Sequence, residues 1–343
     1  MALDGVDFGA DPGADPHGLL AAARAAGRAV PVLFRGEPAR LVARYADVAA
    51  GLAAPELTAP DARPDVGPYA APHPLDPVLA ATPHALVRSL ADGLVAHLDG
   101  AADLVADFAA RYPSLVVSRL LGLGGSALPE LRSLAADPAG AARFARRLTG
   151  PIAERRGEPR DDLLSRLVAT GAADEEIVDF VRLLLPVEAV CHGIGNLLHG
   201  VLTAPDGWAR VRADAAYRAA APGEALRWEP PAAVRPRRAA GPLTWGDVTV
   251  AAGDLVLLSP AGANRDPDVF PDPDRFDPDR PATSPGLAFP EGPHADLARA
   301  QLAAALDALA ARFTSVELAV PPDEVVVSGT LVRGPEWLPV KLA

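Results

Sequence analysis

Leu287-Ala288-Phe289-Pro290-Glu291-Gly292-Pro293-His294-Ala295-Asp296-Leu297-Ala298-Arg299 reads as a loop that runs straight into a helix. Pro and Gly punctuate it, and the apolar positions Leu297, Leu302, Leu306 and Leu309 fall close to a 3.6-residue period. Such a junction offers side chains, together with the N–H groups of a helix N-terminus, to whatever lies over it.

The chain around this junction has the composition of a folded protein. Its 343 residues, 50% of them hydrophobic, can bury a large core. A net charge of −12, from 32 basic and 44 acidic residues, argues against a nucleic-acid partner or an anionic membrane surface. The start, Met1 to Asp7, has neither a basic nor an apolar targeting region, and no later segment is long and apolar enough to span a bilayer, so a cytoplasmic protein is expected. Cys191 is the only cysteine, which excludes an internal disulfide and any multi-cysteine metal site.

Working outward, a helix is expected at about Gly18–Ala26, with short strands at Val30–Phe34 and Ala39–Ala43 joined by a Gly-Glu-Pro turn. Pro55 to Pro83 shows no sustained period and reads as a long loop, either a functional lid or a plain connection. Helices follow at Pro83–Leu98, Ala101–Leu121 with a break near Pro113, Ser126–Ala135, Ala139–Arg156, Asp161–Ala169 and a long one at Asp174–Leu202. Short strands are expected at Leu243–Thr244, Val248–Val250, Leu255–Leu258, Val316–Val320, Glu324–Val327 and Pro339–Lys341. The fold class is therefore mainly α, with small antiparallel sheets.

Three stretches in order carry a family resemblance. Phe289, Gly292 and His294 match the haem-binding loop of cytochromes P450, whose pattern is Phe-Gly-x-Gly-x-His-x-Cys-x-Gly. Ala263-Asn264-Arg265-Asp266-Pro267 through Arg275-Phe276 resembles the P450 meander, and Glu224-Ala225-Leu226-Arg227 the helix that locks onto it. The resemblance implies a shortened P450-like fold, as a single domain over residues 1–343. Within it lie a small N-terminal β region at about 28–50, a helical core at about 83–228 and a meander with C-terminal β region at about 243–343. It also implies a buried structural network of Glu224, Arg227 and Arg275.

The loop departs from the pattern where chemistry matters. Asp296 stands at the position of the iron-ligating cysteine, and Pro290 and Ala298 stand where the family has glycines. A P450 needs the thiolate because its electron push helps cleave the O–O bond. In the oxygen-activating helix the acid is kept as Glu188, but the neighbouring threonine is Ala189, and Pro186 should kink the helix. These losses imply a protein without haem, metal or ferredoxin partner. The function expected from them is a cofactor-independent cyclase of bacterial natural-product biosynthesis, closing a ring in a polyketide-type precursor, for example by [4+2] cycloaddition. The alternatives are a non-catalytic auxiliary protein that activates a glycosyltransferase and, after it, a residual haem monooxygenase.

Arg237 and His294 match the family's propionate partners, and with Asp296 they are the candidate substrate-binding residues. They either hold an anionic group of a substrate or pair with acids and fill the void. Glu188 and His192, one helical turn apart, are either the acid and base of the reaction or part of a polar stripe.

Overall fold

The computed structural model describes residues 3, 5–10, 16–27, 29–60, 67–82, 84–124, 127–245, 248–281 and 284–343. Four helices form its centre: His84–Val95, Tyr112–Leu120, Glu188–Thr203 and Pro293–Arg312. They pack on one another through the largest apolar cluster, with Val87, Ala91, Val116, Leu120, Ile194, Leu197, Leu302, Leu306 and Leu309 all fully or nearly fully buried. The periodic leucines of the opening stretch thus face the core. Burying such a side chain contributes roughly 1.5–3 kcal/mol, which is why the period survives into three dimensions.

A five-stranded sheet flanks the bundle, in the order Val30–Phe34, Glu37–Val42, Leu255–Leu258, Arg235–Ala239, Leu57–Thr58. Glu37–Val42 pairs in parallel with Leu255–Leu258, and the other neighbours are antiparallel. Leu255–Leu258 is apolar at every position and buried at every position, as a strand covered on both faces requires. The first hairpin turns at Arg35 and Gly36, both at positive φ, rather than at Gly-Glu-Pro, so Glu37 and Pro38 already belong to the second strand. Three backbone N–H groups, of Gly9, Arg35 and Gly36, donate to the Asp7 carboxylate and fix that turn.

Three expectations are corrected. The long helix Asp174–Leu202 is two helices, Asp174–Leu184 and Glu188–Thr203. Pro186 has no N–H to give the preceding turn, and the helix restarts where the N–H groups of Val190 and Cys191 converge on the Val187 carbonyl. Ala101–Asp103 is a strand paired with Pro339–Lys341, because Asp103 accepts from the N–H groups of Val105 and Leu338 and ties the segment to the C-terminal strand. The supposed loop 55–83 carries a two-residue strand, a 3₁₀ turn at Gly67–Tyr69 and a short helix at Asp76–Ala80, and its residues 61–66 lie outside the described ones. Among the described residues no helix is long and apolar enough to cross a membrane.

Candidate functional site

The loop before helix Pro293–Arg312 is held by the helix itself. Arg299 donates to the carbonyls of Phe289 (3.0 Å) and Pro290 (3.1 Å), and Asp296 meets the same guanidinium at 3.1 Å. Asp296 therefore acts on the loop through Arg299. Its side chain is 65% exposed, pointing to solvent rather than across the loop towards the bundle.

His294 turns the other way and is buried. Its Nε2 lies 3.3 Å from Oδ1 of Asp76, on the short helix Asp76–Ala80. Burial pushes the His294 pKa down, and the opposing attraction of Asp76 only partly offsets it. Phe180 packs between His294 and His73, with ring centroids 5.4 and 5.1 Å away, and the second Asp76 oxygen accepts from the His73 N–H at 3.0 Å. A few residues earlier, the Tyr69 ring meets Phe289 edge-on at 5.5 Å, and the Arg235 guanidinium lies over the Tyr69 ring, 4.6 Å from its centre. Gly67 has φ +58, and a Cβ there would sit 2.5 Å from the Pro186 carbonyl oxygen, so only glycine fits. The segment 67–80 thus spans from the break at Pro186 to the loop at Phe289 and His294.

Helix Glu188–Thr203 forms the facing wall. Glu188 gives its carboxylate to Arg132 and is about half exposed, while His192 packs against Gly334, so each of the two has a neighbour of its own. The His192 pKa is pushed down by burial, with Glu188 acting weakly in the opposite sense. Cys191 is a protonated thiol, its pKa pushed up to about 12 by burial and by Glu188. Further along, Asn196 donates to the carbonyls of Glu229 (2.8 Å) and Arg333 (3.1 Å), fastening the helix to the C-terminal hairpin. Glu229 binds Arg333 and His17 at 2.9 Å each. Burial alone would raise the Glu229 pKa, but its cationic neighbours more than compensate and hold it at about 2.

The frame network is present with one exchange. Arg227 is bidentate to Glu224, at 2.7 Å for both bonds, and its remaining N–H groups donate to the carbonyls of Asn264, Pro273 and Arg275. The arginine side chain nearest Glu224 from the meander is Arg280, at 3.6 Å. Arg275 contributes its carbonyl, and the residue lines a surface groove with Trp228 and Tyr217. Arg237 is buried and donates to the Pro236 carbonyl.

Sequence reading missed Tyr69, His73, Asp76, Phe180 and Arg235. The one available signal was the presence of an aromatic ring, a histidine and an aspartate in a stretch otherwise made of Pro, Ala, Gly and three aliphatic residues.

Known proteins agree with this architecture. The cytochrome P450 family model matches residues 212–313. Over 96% of this chain and 94% of its own length, a vitamin D(3) 25-hydroxylase of Pseudonocardia autotrophica is 33% identical. The cytochrome P450 monooxygenase PikC of Streptomyces venezuelae is 34% identical over 75% of this chain and 67% of its own. A solved structure, the cytochrome P450 enzyme CxnD for C–S bond formation in chuangxinmycin biosynthesis, superposes with a TM-score of 0.83 at 27% identity, covering 99% of this chain and 98% of its own.

These relationships correct three expectations. The cofactor-free cyclase, with its alternative of a glycosyltransferase activator, rested on the changed residues alone, and relatives named hydroxylase and monooxygenase overturn it. The expected absence of haem falls with it, since the family's chemistry is that of haem iron. So does the expectation that no ferredoxin is needed, because monooxygenation consumes electrons that a redox partner has to deliver. Haem itself can be tested against the residues present. A thiolate-held haem does not fit them: Asp296 faces solvent on Arg299, Cys191 is a half-buried thiol on the facing helix, and segment 67–80 lies against Phe289 and His294. No step through iron is derived from this arrangement. The frame, the order of elements and the matched relatives agree over the length of the chain, which belongs to the cytochrome P450 family.

Proposed function

We propose that this protein takes part in bacterial natural-product biosynthesis, as one P450-like domain whose ligand is a small natural-product molecule. The observation that carries the reading is the relationship along 96% of the chain to a family hydroxylase, joined to structural likeness with an enzyme of chuangxinmycin biosynthesis. The retained frame supports it, because the Glu224–Arg227 lock ties helix Ala215–Trp228 to the meander and the Glu229 network ties helix 188–203 to the C-terminal hairpin. Beside the start of helix 293–312 the chain gathers the aromatic side chains of Phe180, Tyr69 and Phe289, with Arg235 over Tyr69 and His294 against Phe180. The oxygen insertion named for the relatives is not assigned to this loop, which presents Asp296 at the ligand position.

Deletion of the gene in its host, followed by comparative metabolite profiling, is the direct test. Accumulation of a precursor that lacks one tailoring step, and its restoration on complementation, is the expected result. An unchanged profile in a strain shown to express the gene would sink the reading.

A further inference from the structure

The small C-terminal sheet has an open edge. Its strands run in the order Ala101–Asp103, Pro339–Leu342, Val316–Leu318, and among the described residues no further strand pairs with Val316–Leu318. The register decides which backbone groups are committed. Ser315 and Ala343 exchange both N–H···O bonds, and the Ala319 N–H donates to the Pro339 carbonyl, so the odd-numbered residues of this antiparallel pair are the hydrogen-bonded ones. Val316 and Leu318 lie opposite Leu342 and Val340, which turn their own backbone groups towards Gly100 and Ala102 on the far side. The N–H and C=O groups of Val316 and Leu318 therefore point out of the sheet. A groove of about 390 Å³ runs beside them. Thr314 to Leu318 line one wall in unbroken succession, with Leu202, Asp206 and Trp208 across from them. A strand lends residues of both its faces to one groove only along its edge. Arg212 already satisfies the Thr314 carbonyl, at 3.1 Å, so the open stretch is Val316 to Leu318. Val316 is buried, Leu318 half-buried and Glu317 exposed. Among the described residues the Asp206 carboxylate has no partner, and Glu317 accepts only from the Ser315 hydroxyl, at 2.9 Å. No lysine or arginine lines the groove.

We propose that this groove receives an extended peptide segment of another protein, which adds a strand to Val316–Leu318 and sets a lysine or arginine opposite Glu317, between two apolar residues. Sheet edges are ordinarily covered, or blocked by lysine or proline. This edge has an open groove and the sequence Val316-Glu317-Leu318 instead. An added strand takes up the outward N–H and C=O groups, which give affinity without regard to sequence. Three strand residues span only about 10 Å, so side chains have to supply the selectivity. The residue opposite Glu317 shares its exposed face and forms a cross-strand ion pair, with Asp206 adding to the negative rim. Its two neighbours turn the other way, towards the apolar side that holds Val316 and Leu318. A second copy of this chain suits the edge less well. It brings Glu317 against Glu317 in a molecule of net charge −12, and like charges directly opposite destabilise a strand pair.

The test is fluorescence anisotropy of a fluorescein-labelled peptide, Gly-Val-Lys-Val-Lys-Val-Gly, titrated with the full chain. Saturable binding is expected. It should weaken about tenfold when both lysines of the peptide are replaced by glutamate, and about as much when its valines are N-methylated, which keeps the charge and removes the N–H groups that face the edge. Leu318→Pro deletes one outward N–H and leaves the bonds to strand Pro339–Leu342 in place, so binding should fall about fivefold. Glu317→Lys, a change on the exposed face, should weaken the lysine peptide by about tenfold and reverse the preference between the two peptides. If Leu318→Pro fails to fold, Glu317→Lys and the N-methylated peptide decide the matter. The proposal is overturned if the wild type does not bind, or if the N-methylated or glutamate peptide binds equally well. It is also overturned if sedimentation equilibrium shows a wild-type dimer that Leu318→Pro or Glu317→Lys breaks, since the edge would then belong to a second copy.

Discussion

Two acid–arginine pairs, each three residues apart on a helix, sit at opposite extremes of this molecule. Glu224 and Arg227 have side chains 7% and 4% exposed, are bidentate, and satisfy three carbonyls of the meander as well. Asp296 and Arg299 are 65% and 39% exposed and make one contact with each other. The spacing is the same and the energetics are not. A buried charge that loses its partner stays buried, whereas an exposed one recovers water. The family frame is built on pairs of the first kind. The position that carries the family's iron ligand holds, in this chain, a pair of the second kind.

The largest effect should come from breaking the buried pair. Arg227→Leu leaves the Glu224 carboxylate without its bidentate partner and orphans the meander carbonyls, at a cost of about 3–5 kcal/mol. Urea unfolding followed by circular dichroism measures it, and a loss below about 1 kcal/mol would show that the frame does not depend on the pair. Next comes Glu229. Its pKa is held at about 2 from an ordinary 4.5, so the unfolded chain takes up the proton first on acidification. Its contribution, roughly 3 kcal/mol, is present in full above about pH 4.5 and is lost as pH falls towards 2. Glu229→Gln should flatten the stability–pH curve across that window. An unchanged slope would mean that other carboxylates set the acid limit.

These differences also explain what could be read from the chain. Glu224 and Arg227 were legible because a helix fixes their mutual geometry locally. The third arginine was not. Asp272-Pro273-Asp274-Arg275 is followed by Asp277-Pro278-Asp279-Arg280, and two identical tetrapeptides leave the choice to tertiary packing, which turns Arg280 towards Glu224. Strand Leu255–Leu258 announced itself by an unbroken apolar run, and the helix leucines by their period. Segment 67–80 has neither signal. Its contacts with Phe180, Pro186, Arg235, Phe289 and His294 join residues more than a hundred positions apart, and no local pattern encodes them. Asp296 was legible as a departure from the family loop, but a substitution in one loop does not define an activity, and the hydroxylase and monooxygenase relatives corrected that step.

A smaller effect should appear near neutrality. His192, His199 and His294 all have pKa values depressed first by burial, with Glu188, Glu229 and Asp76 respectively pulling the other way. A histidine kept neutral in the fold takes up its proton more readily when unfolded. The stability each contributes is therefore complete above its ordinary pKa near 6.5 and falls as pH drops through the depressed value. For His294 the facing titratable groups are Asp76 and His73, so His294→Gln should remove part of this slope and leave Asp76 without its cationic option. Thermal melts of wild type and variant between pH 7.5 and 5.5 check it, and parallel curves would exclude His294 as a contributor.

The smallest effect is expected at Asp296. Asp296→Asn keeps the shape of the side chain and removes its charge, and an exposed pair of this kind contributes no more than about 0.5 kcal/mol. Arg299 keeps its bonds to the Phe289 and Pro290 carbonyls, so the loop should hold its course. Raising the salt concentration should shrink even that small difference, because screening acts on exposed charges first. A loss above about 2 kcal/mol would overturn the comparison between the two pairs: it would mean that Asp296 is not a solvated partner of Arg299 but a member of the inner network.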